Sequence, residues 1–306
     1  MPAQPLPQTA RPAAAPARPT PQVHWAVLAP LLPALVIVLG LFFYPFVYGM
    51  SLSLHPIGAA AKGGTWGDYA AFFGDPRERQ SIWNTLRLAV PVTVIDLALA
   101  LPLAYQLRRP LPGQRIITGL LVIPMTLGTV LIAEGMIEFF GPAGWFNKAL
   151  LALHLTRMPV QLVHNYTGVL ISLLIADFPA VFLILVGFAS GIDPNLERAA
   201  RVLGAGRWQR LTRIVLPLLA PGIAAAAALS FVATFSVFPS AVLVGEPAGT
   251  TRVIALAAWQ AAYERYDYPQ ASAIAIVMAA VEILFVALVL VVRGRAYRGP
   301  TIGGRA

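Results

Sequence analysis

The chain has 306 residues, of which 58% are hydrophobic and 11% charged, with a mean hydropathy of +0.72. An average soluble domain carries about 25% charged residues, so charge this sparse cannot cover a water-soluble globule; a soluble enzyme, a disordered protein and a disulfide scaffold are all excluded, and a polytopic membrane protein is indicated. The net charge of +9 would suggest nucleic acid in a soluble chain, but here it reads as basic loops on one side of a bilayer, with no nucleic-acid partner.

Residues 1–22 are mostly Pro, Ala, Gln and Thr with two Arg and no apolar periodicity, which predicts a disordered tail. Residues 23–295 form the expected transmembrane domain, and 296–306 a second short tail. Six spans are predicted: Val27–Leu54, Leu88–Leu107, Ile116–Phe140, Tyr166–Gly191, Leu218–Val244 and Gln270–Val292. Each is close to or above the ~20 residues a helix needs to cross the hydrocarbon core. The first is longer than a secretory signal core and reads as an uncleaved helix. Prolines inside the spans, such as Pro91, Pro124, Pro179 and Pro221, would break soluble helices. In a bundle, neighbouring helices and polar side chains satisfy the freed carbonyls. The expected fold class is therefore all-α, a polytopic bundle of six helices.

Six spans put both termini on one side. The tails and the loops after the second and fourth spans hold fourteen Lys and Arg; the other three loops hold eight. The positive-inside rule assigns the richer side, with both termini, to the cytoplasm. On the other side, 141–165 opens with Gly-Pro-Ala-Gly and continues through Trp145, Phe146 and Leu150. It reads equally as an interfacial amphipathic helix or a short packed loop.

No catalytic constellation is present. The two lysines, Lys62 and Lys148, lie in no Gly-Lys-Ser/Thr context, so a P-loop is absent. There is no His-Glu-x-x-His pair and no Gly-x-Ser-x-Gly elbow, and cysteine is missing altogether. No cofactor or metal is expected. Five carboxylates do lie within spans: Asp96, Glu134, Glu138, Asp177 and Glu282. An ionisable residue in mid-membrane costs at least ~2.5 kcal/mol on insertion scales, so each is a functional candidate. Asp96, Glu134 and Asp177 are the candidates for pathway lining. The competing reading is interhelical hydrogen bonding. Gly187-x-x-x-Gly191 is a weak signal of close helix approach.

The loop 191–217 is organised unlike an ordinary membrane loop. Asp193 then Pro194 is an N-cap followed by proline at the first helical position. Leu196 to Leu203 continues as a short helix, Gly204 fits the left-handed position that ends it, and a second helix starts near Arg207. Ala199 and Ala200 remove bulk from one side, and Arg198, Arg201 and Arg207 offer charge to an acidic partner. A capped helix with a glycine stop does not follow from a topological role, which favours docking on another protein.

Here the chain resembles the membrane subunit of binding-protein-dependent ABC importers. That family's cytoplasmic signature is Glu-Ala-Ala, three residues, Gly, nine residues, Ile, one residue, Leu-Pro. This sequence has Ala199-Ala200, Gly204, Ile214 and Leu216-Pro217 at those spacings. The Glu position holds Arg198, with Glu197 just before it. The wider resemblance covers roughly residues 25–295, including Phe43-Tyr44-Pro45 and Tyr266-Asp267-Tyr268.

The resemblance implies a bacterial inner-membrane permease. A second permease subunit, identical or paralogous, would complete the pathway. Separate ATP-binding subunits would dock at Glu197, Arg198, Ala199, Ala200, Gly204 and Ala205, and an extracytoplasmic binding protein would deliver the solute. The Gly-Ile-Asp-Pro-x-Leu-Glu run and the Tyr-Asp-Tyr resemble spermidine/putrescine-type permeases, with permeases for sugars, ferric iron, thiamine or phosphonates as alternatives. An ion-coupled secondary transporter is the alternative of another class. Such folds usually show internal repeats, and none relates the two halves here.

Overall fold

A computed structural model describes residues 31–108 and 112–296. The expected tail 1–22 and residues 297–306 of the second lie outside the described residues. The chain divides into two compact units, 1–48 and 49–306. In the first, Leu31–Val38 is α-helical and leads through a π-helical turn, Leu39–Phe43, into the helix Tyr44–Ser53, which continues past the boundary. Leu32–Ser53 is the first of six helices long and apolar enough to cross a membrane.

The second unit holds the other five. The second span, Pro76–Leu107, starts on a built cap: Asp75 Oδ1 accepts from the Arg77 N–H at 2.8 Å, and Pro76 needs no partner at the first position. At 1.5 Å per residue, its 32 residues reach about 48 Å, well past a ~30 Å hydrocarbon core. The helix continues through Pro91 and Pro102. The third span, Gln114–Phe140, is broken at Gly128, whose φ of +73° and ψ of 163° only glycine adopts freely. The fourth, Tyr166–Ser190, is capped by Asn165 Oδ1, which accepts from the Gly168 N–H at 2.8 Å.

The fifth span corrects the expectation of one helix over Leu218–Val244. Its helical run is Arg207–Phe235, with a π-helical turn at Leu211–Val215. It stops at Phe235, with Ser236 leaving helical geometry at φ −83° and ψ 5°, and a separate short helix Pro239–Leu243 follows. The sixth span is Tyr268–Ala296.

The second, fourth and fifth spans pack on one another, with the third against the fourth and the sixth against the fifth. Water-driven collapse does not operate between helices in lipid, so close approach and van der Waals contact must hold them. Small buried residues serve this: Ala89, Ala100 and Ala104 on the second span, Ala226 on the fifth. One close interhelical approach falls at Gly222, where a Cβ would lie 2.6 Å from the Phe188 ring. Among the described residues of this chain, a Cβ at Gly187 meets nothing within 4 Å, so no close approach is made there within the chain.

One end of the bundle is tied by buried polar groups. Arg252 makes two 3.2 Å hydrogen bonds to the Glu78 carboxylate and one of 3.1 Å to Gln260 Oε1. This fastens the loop before Ile254–Trp259 to the first turn of the second span. On the same side of the chain's path, Trp145–Ala152 is helical. Its buried Asn147 donates to the carbonyls of Gly141 (2.9 Å) and Val160 (3.0 Å) and accepts from the Val160 N–H (2.7 Å). The segment 141–165 thus combines a short helix with a turn pinned by Asn147, and Trp145, Leu153 and Leu155 remain exposed. Nearby in sequence to the second span, Asp68 is buried with Oδ2 unpartnered. Burial first, and the charge of Asp267 second, raise its carboxyl above the ordinary 3.8.

Candidate functional site

Two groups of residues separate themselves from simple packing. The first is the loop between the fourth and fifth spans. Asp193 Oδ1 accepts from the Asn195 N–H at 2.8 Å and starts the helix Pro194–Val202. The far end is a Schellman motif: the Ala205 N–H reaches the Ala200 carbonyl at 2.9 Å, and the Gly204 N–H reaches Arg201 at 3.0 Å. Gly204 sits at φ +85° with open space around it, so the turn requires its backbone freedom rather than its small size. Gly206 then begins the next helix, its N–H donating to Gln209 Oε1 at 3.0 Å.

This short helix carries an exposed apolar face. Leu196 is half exposed, and Val202 and Leu203 are each 87% exposed. Arg198 and Ala199 are exposed beside them, and Ala200 and Ala205 are partly covered. Arg198 donates to Asn195 Oδ1 at 3.2 Å. Glu197 points the other way. It is buried, paired with the Arg108 guanidinium, and accepts from the Tyr105 hydroxyl at 3.1 Å. The Glu197–Arg108 pair fastens the helix to the last turn of the second span. Arg108 also lies over the Tyr105 ring, 4.2 Å from its centroid.

The second group lies inside the bundle. Asp96 of the second span is fully buried, and neither carboxyl oxygen has a hydrogen-bond partner. It stands beside Asp177 of the fourth span, near enough for the two carboxyls to interact directly. Asp177 Oδ2 accepts from the Ser230 hydroxyl of the fifth span. Ser230 in turn lies 3.3 Å from the Thr93 hydroxyl. Asp96 lines a cleft of about 610 Å³ whose other walls are apolar except for Gln106, among them Leu99, Leu121, Pro124 and Phe178. Three spans therefore converge on two carboxyls and two hydroxyls, a set able to hold a proton or receive a cation's donors.

The remaining carboxylates do not join this group. Glu134 and Glu138 lie exposed along the third span. Glu282 accepts from the Ser236 hydroxyl at 2.6 Å, an interhelical hydrogen bond at the end of the fifth span's helix. Sequence reasoning missed Tyr105 and Arg108 as partners of Glu197, and Thr93 and Ser230 as neighbours of the aspartates. Arg108 was visible only as a topological charge, and no spacing relates it to a residue 89 positions away. Among the described residues, no group of three or more His, Cys, Asp or Glu is arranged to hold a metal ion.

The comparisons with known proteins agree on one family. A family described as "Binding-protein-dependent transport system inner membrane component" matches residues 97–298. The sulfate transport system permease protein CysT of Escherichia coli (strain K12) is 27% identical over 222 residues, 72% of this chain and 78% of that one. The spermidine/putrescine transport system permease protein PotB of Haemophilus influenzae is 30% identical over 172 residues, covering 56% of this chain and 60% of that one. In structure, the chain matches a chain of the bacterial alginate ABC transporter solved in complex with an alginate pentasaccharide-bound periplasmic protein, with a TM-score of 0.76 and 22% identity. That match covers 90% of this chain and 96% of the other, and it shows a shared fold. More than half of the sequence lies within the family match, and the chain belongs to the inner-membrane components of binding-protein-dependent transport systems, the permease subunits of ABC importers.

Proposed function

We propose that this permease faces the cytoplasm with its loop 191–217 and both termini, and that the helix Pro194–Val202 seats in a cleft on a separate ATP-binding subunit. The observation that carries the reading is the construction of that helix. It is capped at both ends, fastened inward through Glu197 and Arg108, and leaves Leu196, Val202 and Leu203 uncovered. A lever must be rigid to transmit movement, and it must offer a surface to be gripped. The exposed positions Arg198, Ala199 and Gly204, with the partly covered Ala205, form the contact, while Glu197 acts from behind as a positioning residue. Closure of an ATPase pair would then shift the bundle between two access states, which needs contacts that differ between those states.

A second permease subunit completes the pathway, and an extracytoplasmic binding protein delivers the solute. The relatives transport unlike solutes, sulfate and polyamines among them by name. The buried Asp96–Asp177 pair supports a cationic solute over an anionic one: two adjacent buried carboxyls resist ionising together, and a passing cation relieves that cost whereas an oxyanion adds to it. A polyamine-class solute is therefore the reading we favour. The test is uptake of labelled spermidine and of labelled sulfate by cells carrying the permease with its ATPase and binding protein. Spermidine uptake that stops on ATP depletion and survives an uncoupler supports the reading. Sulfate uptake alone overturns the choice of solute, and uptake that follows the proton gradient overturns the ATP-driven mechanism.

A further inference from the structure

A second cleft, of about 480 Å³, lies where the second span ends, the helix Pro194–Val202 turns and the fifth span begins. Arg108, Arg201, Arg207 and Arg210 line it, and Glu197 is the one carboxylate among its lining residues. Glu197 is already engaged by Arg108 and Tyr105. The wall therefore carries four guanidiniums against one carboxylate.

Arg210 is the unusual member. It is only 7% exposed, and its Nε and Nη1 have no hydrogen-bond partner. Arginine is almost never buried unless paired, and here the Nε and Nη1 donors of a buried guanidinium are left without acceptors. Such a group marks the place of an acceptor that comes from outside the chain. The planar fork of arginine matches the oxygens of a phosphate or similar oxyanion, which it binds in bidentate fashion. Donors from three different elements suit a ligand with oxygens on several sides better than a flat carboxylate.

Depth adds to the argument. Leu216–Phe235 carries no charged residue, and Arg210 precedes it by about 9 Å of helix at 1.5 Å per residue. Trp208, exposed on the same cleft, suits the headgroup level of a bilayer. We propose that this cleft binds a phosphate-type oxyanion, free or as the headgroup of an anionic phospholipid, with Arg210 as its principal ligand and Arg201 and Arg207 as supporting ones. The occupied site would hold the short helix to the second and fifth spans together.

The experiment uses the full chain in nanodiscs, without other subunits, so its outcome is independent of the docking reading. In phosphatidylcholine discs, potassium phosphate is titrated against potassium chloride at constant ionic strength while the apparent Tm is followed. In parallel, phosphatidylglycerol discs are compared with phosphatidylcholine discs in phosphate-free buffer. The proposal predicts a Tm rise of several degrees in at least one arm, and the arm that responds identifies the source. Arg210→Gln should abolish the rise, and Arg201→Gln, a change at an exposed residue, should weaken the response about tenfold, as expected for losing one charge-assisted contact. No rise in either arm, or an equal rise in both variants, overturns the proposal. A rise seen only when ATP-binding subunits are added would assign the acceptor to a protein carboxylate and equally overturn it.

Discussion

The loop 191–217 and the carboxyl cluster within the bundle are polar features of opposite construction. The loop is held by contacts between near neighbours: Asp193 with Asn195, Ala205 with Ala200, Gln209 with Gly206. The cluster is assembled from Thr93, Asp96, Asp177 and Ser230 on three spans, with a sequence separation of 137 residues between Thr93 and Ser230. The loop directs its polar fastening inward and leaves apolar side chains uncovered; the cluster buries its charge-bearing groups and leaves Asp96 without a donor. A surface made to be gripped must be rigid before its partner arrives. A site along a pathway must instead keep an unsatisfied group ready for what passes.

Substitutions can sharpen or break that contrast. The largest effect is expected at Glu197, the link between the loop and the second span. Glu197→Ala leaves Arg108 buried without its carboxylate and should cost about 3–5 kcal/mol of stability, read as a loss of folded protein in detergent melts. Gly204→Val places a β-branched side chain at φ +85° and should cost roughly 1–3 kcal/mol of local strain. Membrane levels should hold, while uptake and ATPase stimulation fall together. Normal uptake in that variant would remove the requirement for the Schellman turn.

At the cluster, Asp96→Asn keeps the shape of the side chain but removes its capacity to ionise. The pathway reading predicts uptake reduced at least tenfold with unchanged thermal stability. A change in stability without a change in transport would return Asp96 to a structural role. The smallest effect concerns Asp68, away from both regions. Its carboxyl is raised above 3.8 in the folded chain, so the folded state binds this proton more tightly than the unfolded one. That contribution is fully present below pH 3.8 and is lost as pH rises through the elevated value. Asp68→Asn should therefore flatten the fall in stability above pH 4, measured by melts across a pH series.

The same contrast governs what could be read before the fold was known. Span number and the short helix were legible because hydrophobic length, Asp-Pro capping and the glycine stop are local signals. The break at Gly128 and the end of the fifth helix at Phe235 were less so. Glycine and proline are tolerated inside membrane helices, and only neighbouring packing decides whether they interrupt one. Asp96 and Asp177 were singled out by the cost of charge in lipid, but their adjacency was not, since no periodicity relates them. Glu134, chosen by the same rule, lies exposed on the third span instead. The inward pairing of Glu197 was hidden for a similar reason, because Arg108 differs in no local way from its basic neighbours.

The central claim is that the helix between the fourth and fifth spans is gripped by a separate ATPase. The chain contains no cysteine, so Ala199→Cys and Ala205→Cys introduce unique thiols without a background. In inverted membrane vesicles carrying the whole transporter, a short bifunctional reagent should join either thiol to the ATP-binding subunit, with a yield that changes between ATP-bound and nucleotide-free states. Labelling of both thiols by an impermeant reagent from the periplasmic side of intact cells, with no crosslink to the ATPase, would contradict the account.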